Sequence, residues 1–409
     1  MNGSGNSCIS LRMLRELVQI LAHEFHFELA GVAPADDHGA KFPELKYFSQ
    51  WTAEGRAGEM AYLERRNEDG ELKRSSLRAA LPWARSVIVC AANYDSAAPL
   101  SIDDAPANSG WIARYAQTGD EQGASDYHEV LLARLRALEE ALHQRLASEC
   151  GEFESRSYVD TGPLVERVYA RYAGLGWIGK NTCLIHPDEG SWLFLGCIVT
   201  SLEVSDFDLA AALLPDRCGS CTRCIEACPT QALDEPYKMD ASRCISYLTI
   251  EKRGAITEEL REGIGRQVFG CDICQDVCPW NQKAGRKREK SPSVTNGSSN
   301  EMLQPRPELV NPSLDWLASL TREDFRRIFR GSPLERTKWR GLQRNVAIAM
   351  GNSGDATHLP HLERAANDVE EPVLAEAARW AGERIRAKQS PSASEGAATA
   401  SSTESATRI

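Results

Sequence analysis

Apolar residues recur every three or four positions through much of the first half of the chain, which is the spacing of amphipathic helices. Two uninterrupted apolar runs predict buried strands, the first at residues 86–94 and the second, a strand or hairpin, at residues 191–204. The stretch 155–160 predicts a shorter strand. Helices are predicted at residues 11–30, 43–66, 126–149 and 164–173. Because strands and helices mix throughout, residues 10–215 are predicted to form one α/β or α+β domain.

The second half of the chain divides into a cysteine-rich module and a helical region. Residues 216–282 hold eight of the 13 cysteines, and residues 283–311 read as a polar linker. From residue 312 the pattern is purely helical. Residues 341–387 predict three short helices that resemble a HEAT-like repeat, so 312–388 is expected to be an all-α domain. The Ser/Ala/Thr-rich tail, residues 389–409, predicts disorder.

The composition, 42% hydrophobic and 26% charged, is that of a globular protein and excludes a fully disordered or fibrous chain. No apolar run approaches the ~18 residues of a membrane span, and the first residues lack the layout of a secretory signal. We therefore expect a cytoplasmic protein whose thiols are reduced rather than a disulfide framework.

The net charge of −11 excludes a generally basic nucleic-acid-binding surface but allows a local cationic face. The candidates for that face are Lys283, Arg286, Lys287, Arg288 and Lys290, together with Arg340 and Arg344.

The cysteine module begins with a bacterial ferredoxin motif. Cys218, Cys221, Cys224 and Cys228-Pro229 follow the spacing C-x2-C-x2-C-x3-C-P, in which the fourth thiolate binds a second cluster. A second run, Cys271, Cys274 and Cys278-Pro279, lacks its first cysteine, because position 268 is a valine. Cys244 is the remaining candidate.

The ligands then divide into two complete sets. The first 4Fe–4S cluster is assigned Cys218, Cys221, Cys224 and Cys278, and the second is assigned Cys228, Cys244, Cys271 and Cys274. Two zinc ions are the alternative for eight thiolates, but this spacing is not that of zinc ribbons. Two clusters deliver electrons singly and need a terminal acceptor, which the N-terminal domain must provide.

Three segments of the N-terminal domain offer candidate chemistry. The glycines of residues 174–179 match a dinucleotide fingerprint by letter, but they follow a helix and favour a simple turn. His128 opens a helix and is interpreted as structural or as supporting another residue. Asp160 follows a predicted strand, where α/β active sites lie, with a turn or helix N-cap as the alternative.

With these motifs in order, the sequence resembles the epoxyqueuosine reductase family, the cobalamin-dependent enzymes that complete queuosine in tRNA. The resemblance covers most of residues 10–285. It rests on the ferredoxin run and on the segments GEMAYLERR (58–66), WIARYA (111–116), DYH (126–128), VDTGPLVERVYARYAGLGWIGKNTCLI (159–185), EPYKMDASRCISYLTIEKRGAI (235–256) and FGCDICQDVCPWN (269–281). Residues 117–125 form a longer connection than the family pattern has.

The resemblance implies a cofactor and the residues that contact it. It implies that cobalamin lies between an N-terminal domain related to reductive dehalogenases and the ferredoxin-like module. Asp160 falls on the family's proton donor, and burial beside the corrin is expected to raise its pKa. The implied cobalamin contacts are Arg65, Ala113, Asp160, Leu184, Ile185, His186, Leu195, Ile198, Phe269, Gly270, Cys271 and Asp272.

The expected fold class is thus an α+β multidomain protein, with an N-terminal α/β cobalamin-binding domain, a two-cluster ferredoxin-like module and a C-terminal HEAT-like repeat. The expected function is reduction of epoxyqueuosine in tRNA by a monomer that takes electrons from an external one-electron donor. The alternatives are another cobalamin and iron–sulfur reductase acting on a small molecule, and an electron-transfer module without its own substrate.

Overall fold

A computed structural model describes residues 9–35, 42–120, 123–208, 213–290 and 303–389. Within these ranges no helix combines the length and the apolar character needed to span a membrane. The predicted disordered tail lies outside the described residues, except for residue 389.

A four-stranded antiparallel sheet forms the centre of the N-terminal domain. Its strand order is β2 (Leu29–Pro34), β3 (Ser86–Asn93), β10 (Leu193–Thr200) and β7 (Ser155–Tyr158). The central pair, β3 and β10, comes from the two uninterrupted apolar runs, as predicted. Both strands are covered on each face, so neither needs to alternate apolar and polar residues.

Helices cover both faces of the sheet. On one face, α1 (Leu11–Glu24) and α4 (Tyr127–Cys150) pack against Ile88 and Ile198. On the other face, α2 (Pro43–Ala53) and α5 (Glu166–Tyr172) pack against the alternate side chains of the same strands, which point in the opposite direction. The short helix α3 (Leu77–Ala80) precedes β3. This arrangement leaves the edge of the sheet near β7 and α5 available for a site.

Two predicted helices are too long. The first ends at Glu24 because His26 takes a positive φ of 63°, and residues 29–34 then form strand β2. The second ends at Ala53 and is followed by a separate 3-10 helix, Ala61–Glu64. The predicted glycine turn at residues 174–179 is confirmed, since Gly174 has a φ of 86° just after α5.

Short strand pairs complete the sheet structure. The paired strands β5 (Gly119–Asp120) and β6 (Gly123–Ala124) lie within the long connection at 117–125. The remaining short strands are β1 (Ile9–Ser10), β4 (Trp111–Ile112), β8 (Trp177–Ile178), β9 (Leu184–Ile185), β11 (Val204–Ser205) and β12 (Gln267–Phe269). Cys150 is disulfide-bonded, a departure from the expectation of reduced thiols, while eleven other described cysteines are free.

The cysteine module is built from short helices. They are α6 (Arg223–Glu226), α7 (Ile245–Ile250), α8 (Glu258–Ile264), α9 (Ile273–Asp276) and α10 (Pro279–Lys290). Helix α10 extends through residues 283–290, so the beginning of the predicted linker is helical instead. Residues 291–302 of that linker lie outside the described ranges.

The C-terminal region is helical, as predicted, with breaks near residues 354–358 and 367–371. Its helices are α11 (Leu314–Ser319), α12 (Arg322–Ile328), α13 (Lys338–Ser353), α14 (Leu359–Ala366) and α15 (Pro372–Gln389). They share one hydrophobic core with α7, α8 and β12 of the cysteine module. This shared core crosses the predicted boundary between the cysteine module and the helical domain. The predicted domain limits therefore stay a proposal about the sequence. A HEAT-like repeat stays a prediction.

Candidate active site

Asp160 lies in a turn just after β7. The sequence predicted this carboxylate at the end of a strand. Its φ of 53° is in the left-handed region, which non-glycine residues seldom occupy outside functional sites and turns. The Arg74 guanidinium donates a hydrogen bond of 2.7 Å to the Asp160 carbonyl oxygen and holds the turn. Val165 occupies the N-cap position of α5. The N-cap alternative for Asp160 is therefore wrong, and the turn alternative describes its backbone.

The Asp160 carboxylate is the end point of a hydrogen-bond network formed by three residues at the start of α4. The Tyr127 hydroxyl donates to Asp160 Oδ2, and His128 Nε2 lies 3.2 Å from the same oxygen. His128 Nδ1 lies 2.6 Å from Asp126 Oδ1, which orients the ring. His128 thus supports Asp160, in line with its interpretation as a supporting residue.

The pKa values of Asp160 and His128 differ from those that burial alone would produce. Burial pushes the pKa of Asp160 upward, but hydrogen bonds from His128 and Tyr127 and the charge of His128 outweigh it and lower the pKa. Burial would lower the pKa of His128, but its bonds to Asp126 and Asp160 raise it to about 9. The expectation of a raised Asp160 pKa is therefore wrong. At neutral pH the proton is on His128.

A large apolar cavity lies between the N-terminal sheet and the cysteine module. Its volume is about 950 Å³, near the upper end of the ~300–1,000 Å³ that ligand pockets span. Aromatic side chains form about a third of its wall, and Leu193 and Leu195 of β10 line it from the sheet. From the cysteine module come Asp216 and the segment 236–239. A cavity this large and apolar fits a large, mainly apolar cofactor.

A second cavity of about 810 Å³ adjoins the first and is more polar. Its wall includes Asp126, His128, Glu251 and Glu335. Four cations also line it, and these are Arg65, Lys73, Arg74 and Arg336. We call the two spaces the apolar cavity and the polar cavity.

The structure places the implied cobalamin contacts at different distances from these cavities. Asp160 and Leu195 line the apolar cavity, and Arg65 lines the polar cavity. Neither lining includes the other implied contacts, which are Ala113, Leu184, Ile185, His186, Ile198, Phe269, Gly270, Cys271 and Asp272. As cobalamin contacts these nine residues stay predictions, and among them His186 is expected to contribute through its backbone.

Two of the implied contacts have other partners in this structure. Ile198 is fully buried in the core beneath α1 and α4. Side chains alternate along a strand, so Leu195 and Ile198 point to opposite faces, and the Ile198 side chain belongs to that core and not to a cofactor pocket. The Asp272 carboxylate accepts hydrogen bonds from Trp111 Nε1 at 3.1 Å and from the Arg114 backbone N–H at 2.7 Å.

Three of the eight clustered cysteines have neighbours in the sets predicted for them. Burial and then the charges of Cys278, Cys218 and Cys221 raise the pKa of Cys224 to about 11. Burial and the charges of Cys244 and Cys228 raise the pKa of Cys271. A hydrogen bond with Cys183, which belongs to neither set, then burial and the charges of Cys183, Cys271 and Cys244 raise the pKa of Cys274. These three thiols therefore have neighbours from their predicted sets, and the division of all eight ligands stays a prediction.

The described thiols are spaced more widely than the ligands of a single metal ion. Among the described residues, no three His, Cys, Asp or Glu side chains converge as a single metal ion requires. A cube of four irons keeps its thiolates farther apart, since each binds a different iron. One thiol outside the two sets, Cys183, hydrogen-bonds with Cys274.

Sequence reasoning assigned no role to Tyr127 or Glu166. Tyr127 lies within the DYH segment, and its hydroxyl reaches Asp160 because β7 and α4 pack together. Glu166 opens α5 and lines both cavities. The only signal in the sequence was its position six residues after Asp160, which does not predict a shared cavity.

Comparisons with known proteins agree with this arrangement. A family model described as epoxyqueuosine reductase QueG, DUF1730, matches residues 74–161. A model described as a 4Fe–4S double cluster binding domain matches residues 217–281.

Two relatives match the chain over most of its length. An epoxyqueuosine reductase of Xanthomonas campestris is 36% identical over 370 residues, covering 89% of this chain and 94% of the relative. One from Synechocystis is 41% identical over 317 residues, covering 77% and 98%. A crystal structure of epoxyqueuosine reductase with an epoxyqueuosine-modified tRNA-Tyr stem loop is 28% identical. It superimposes with a TM-score of 0.75, covering 92% of this chain and 91% of that one.

Proposed function

Because the chain belongs to the epoxyqueuosine reductase family, we propose that it reduces epoxyqueuosine to queuosine at the wobble position of tRNA. The observation that carries the proposal is the placement of Asp160, which lines the apolar and the polar cavity together. This placement lets one acid reach a nucleoside in the polar cavity beside a cofactor in the apolar one. Neither alternative, a small-molecule reductase or an electron-transfer module, is favoured by relatives that match over most of the chain.

We propose that the apolar cavity holds cobalamin and that the two cysteine sets hold the two clusters. When bound, the clusters carry single electrons and the corrinoid supplies the reducing centre. Leu193, Leu195 and the aromatic wall would exclude water from that centre. The external one-electron donor and a cytoplasmic location are part of the same proposal.

Asp160 and His128 are proposed to supply a proton to the substrate oxygen. Opening an epoxide leaves an oxygen that needs a proton, and general acids contribute ~10²–10⁴-fold to such steps. His128 holds the proton at neutral pH and lines only the polar cavity, whereas Asp160, 3.2 Å from His128 Nε2, lines both cavities. Asp160 therefore passes the proton from His128 to the substrate.

The proposed function is tested by nucleoside analysis. Purified protein is incubated with cobalamin, a strong reductant and tRNA that carries epoxyqueuosine, and the digested tRNA is separated by chromatography. We expect queuosine to replace epoxyqueuosine. Retention of all the epoxyqueuosine by protein that contains iron and cobalamin would contradict the proposal.

The proton relay predicts a pH dependence. The pKa of His128 is raised to about 9, so its proton is present at neutral pH and is lost as the pH rises through about 9. Single-turnover rates should therefore fall in that range. In His128→Gln this part of the profile should be absent and the rate at neutral pH should be lower. A profile identical to that of the parent protein would remove His128 from the relay.

The cluster assignment predicts the iron content of one variant. Cys244→Ala should lose the second cluster and keep the first, so iron should fall from about eight to about four per chain. Cys183→Ala is the matched control, because Cys183 is the other thiol beside Cys274, and it should keep about eight. The reverse result would make Cys183 the ligand in place of Cys244.

The residues of the predicted cationic face for tRNA differ in their exposure in the structure. Arg344 is 1% exposed and cannot contact tRNA, so that prediction is wrong. Arg340 is exposed but pairs with Glu371. Lys283 and Arg286 are exposed on α10, and Lys283 Nζ lies 4.9 Å from the Trp280 ring centroid. The side chains of residues 287–290 lie outside the described part of the structure. The cations of the polar cavity are nearer to Asp160.

A further inference from the structure

The apolar and polar cavities meet at a small group of residues. Six residues line both cavities, and these are Leu63, Arg74, Tyr115, Tyr127, Asp160 and Glu166. Two of the six, Asp160 and Glu166, are acids. A substrate that reaches from the polar cavity toward the apolar one must pass between these side chains. Asp160 has a role in the proposed function, whereas Glu166 has none.

The surroundings of Glu166 favour a protonated carboxyl group more than they do for an ordinary glutamate. Its Oε1 is buried and has no hydrogen-bond partner. Arg74 and Arg167 are close enough to affect its charge, but their guanidinium groups donate to the backbone oxygens of Asp160 and Thr182. Burial and the negative charge of Asp160 raise the pKa of Glu166 to about 7, against the opposing effects of its backbone N–H and the two arginines.

The overall reaction needs a second acid. Conversion of an epoxide to an alkene and water breaks two C–O bonds and consumes two electrons, from the external donor, and two protons. The first cleavage leaves the oxygen on one carbon, where a proton makes it a hydroxyl group. The second cleavage releases that oxygen, which needs another proton to leave as water. The Asp160 and His128 pair holds only one proton in this site.

We propose that Glu166 is a second catalytic acid, which protonates the oxygen as it leaves in the second C–O cleavage. The proposal rests on the proposed function. Two carboxyl groups whose surroundings drive their ionisation in opposite directions are a recurrent arrangement for acid catalysis. Asp160 is ionised and passes on the proton of His128, while Glu166 carries its own.

The test compares Glu166→Gln and Glu166→Asp with the parent protein. Glutamine keeps the shape and cannot deliver a proton, so single-turnover reduction at pH 6 should fall by ~10²-fold or more. The parent rate should decline as the pH rises through about 7 and again near 9. Glu166→Gln should keep only the decline near 9. Glu166→Asp should regain part of the rate and the lower-pH decline.

Two measurements without turnover complete the test. Infrared difference spectra of the cobalamin-free protein between pH 5 and pH 9 should contain a carboxylic-acid band that Glu166→Gln lacks. Cobalamin affinity, measured by absorbance titration, should change by less than about two-fold in both variants. If affinity falls tenfold while the pH profile is unchanged, Glu166 holds the cofactor and the proposal is overturned.

The outcomes separate this inference from the proposed function. If the parent protein forms no queuosine, the proposed function fails. If the parent protein forms queuosine and Glu166→Gln matches its rate and pH profile, only the second acid fails. If Glu166→Gln loses iron or its thermal unfolding transition, the variant is misfolded and the test uses Glu166→Asp instead. If the rate of Glu166→Asp then lacks the decline near pH 7, the proposal is overturned.

Discussion

Asp160→Asn should lower the single-turnover rate of epoxyqueuosine reduction by ~10²–10⁴-fold, the usual contribution of a general acid. Asparagine keeps the size of the side chain and tolerates the positive φ of this turn. It cannot accept the proton of His128 and pass it on. Cobalamin and iron content should match the parent protein, because the change does not alter the volume of either cavity.

The measurement uses chemically reduced enzyme in excess over the tRNA, so that proton transfer and not electron delivery limits the rate. Asp234→Asn is the matched control, since Asp234 is an exposed partner of Arg56 and lines neither cavity. Its rate should equal that of the parent protein. An unchanged rate in Asp160→Asn would leave Asp160 as a turn residue only.

Tyr127→Phe refines this result. The change removes one hydrogen bond to the Asp160 carboxylate and leaves both the carboxylate and His128 in place. Its effect should therefore be smaller than that of Asp160→Asn. A larger loss in Tyr127→Phe would point to the tyrosine hydroxyl as the group that protonates the substrate.

Arg344→Met should destabilise the protein by several kcal/mol, because it leaves buried backbone oxygens without their donor, at ~1–3 kcal/mol for each unsatisfied group. The guanidinium donates to three backbone oxygens, at 2.7 Å to Leu248, 2.8 Å to Lys252 and 2.7 Å to Gly254. Burial lowers the pKa of Arg344 to about 10, so it still carries its charge at neutral pH. Methionine fills the space but donates no hydrogen bond.

Arg340→Met is the matched control one helical turn away on α13. Arg340 is 66% exposed, and its buried partner Glu371 keeps a second ion pair with Arg322, so the loss of Arg340 should cost less than the loss of Arg344. Urea unfolding followed by far-UV circular dichroism compares the two variants. Arg344→Met should unfold at a clearly lower urea concentration than Arg340→Met. Equal midpoints would mean that water replaces the lost hydrogen bonds without cost.

The sequence predicted best what depends on local pattern. The strands β3 and β10 are continuous apolar runs, and each is buried on both faces. The spacing of the cysteines identified a two-cluster module, which the domain match over residues 217–281 supports, while Cys244 was assigned by elimination and stays a prediction. The position of Asp160 after a strand was also readable, because strand and turn are adjacent in the sequence.

What depends on distant contacts was not predictable. Arg344 looks like a surface cation on a helix, and only the packing of α13 against residues 248–254 shows that it is buried. The proton of the active site was placed on Asp160, although the hydrogen bond from His128 gives it to the imidazole. Glu166 became a candidate only when two cavities were seen to share it.

The core shared by the cysteine module and the C-terminal helices limits how freely the electron-carrying segment can be recombined. Ile245, Leu248 and Val268 of the module pack in the same core as Leu342 and Val346 of α13. A fragment cut out at residues 216–282 would present this apolar face to water, at a cost of ~25 cal/mol for each Å² exposed. Fusion proteins that use the segment should therefore include the helices that cover it. Inserted alone into another protein, the segment would expose an apolar face that promotes aggregation.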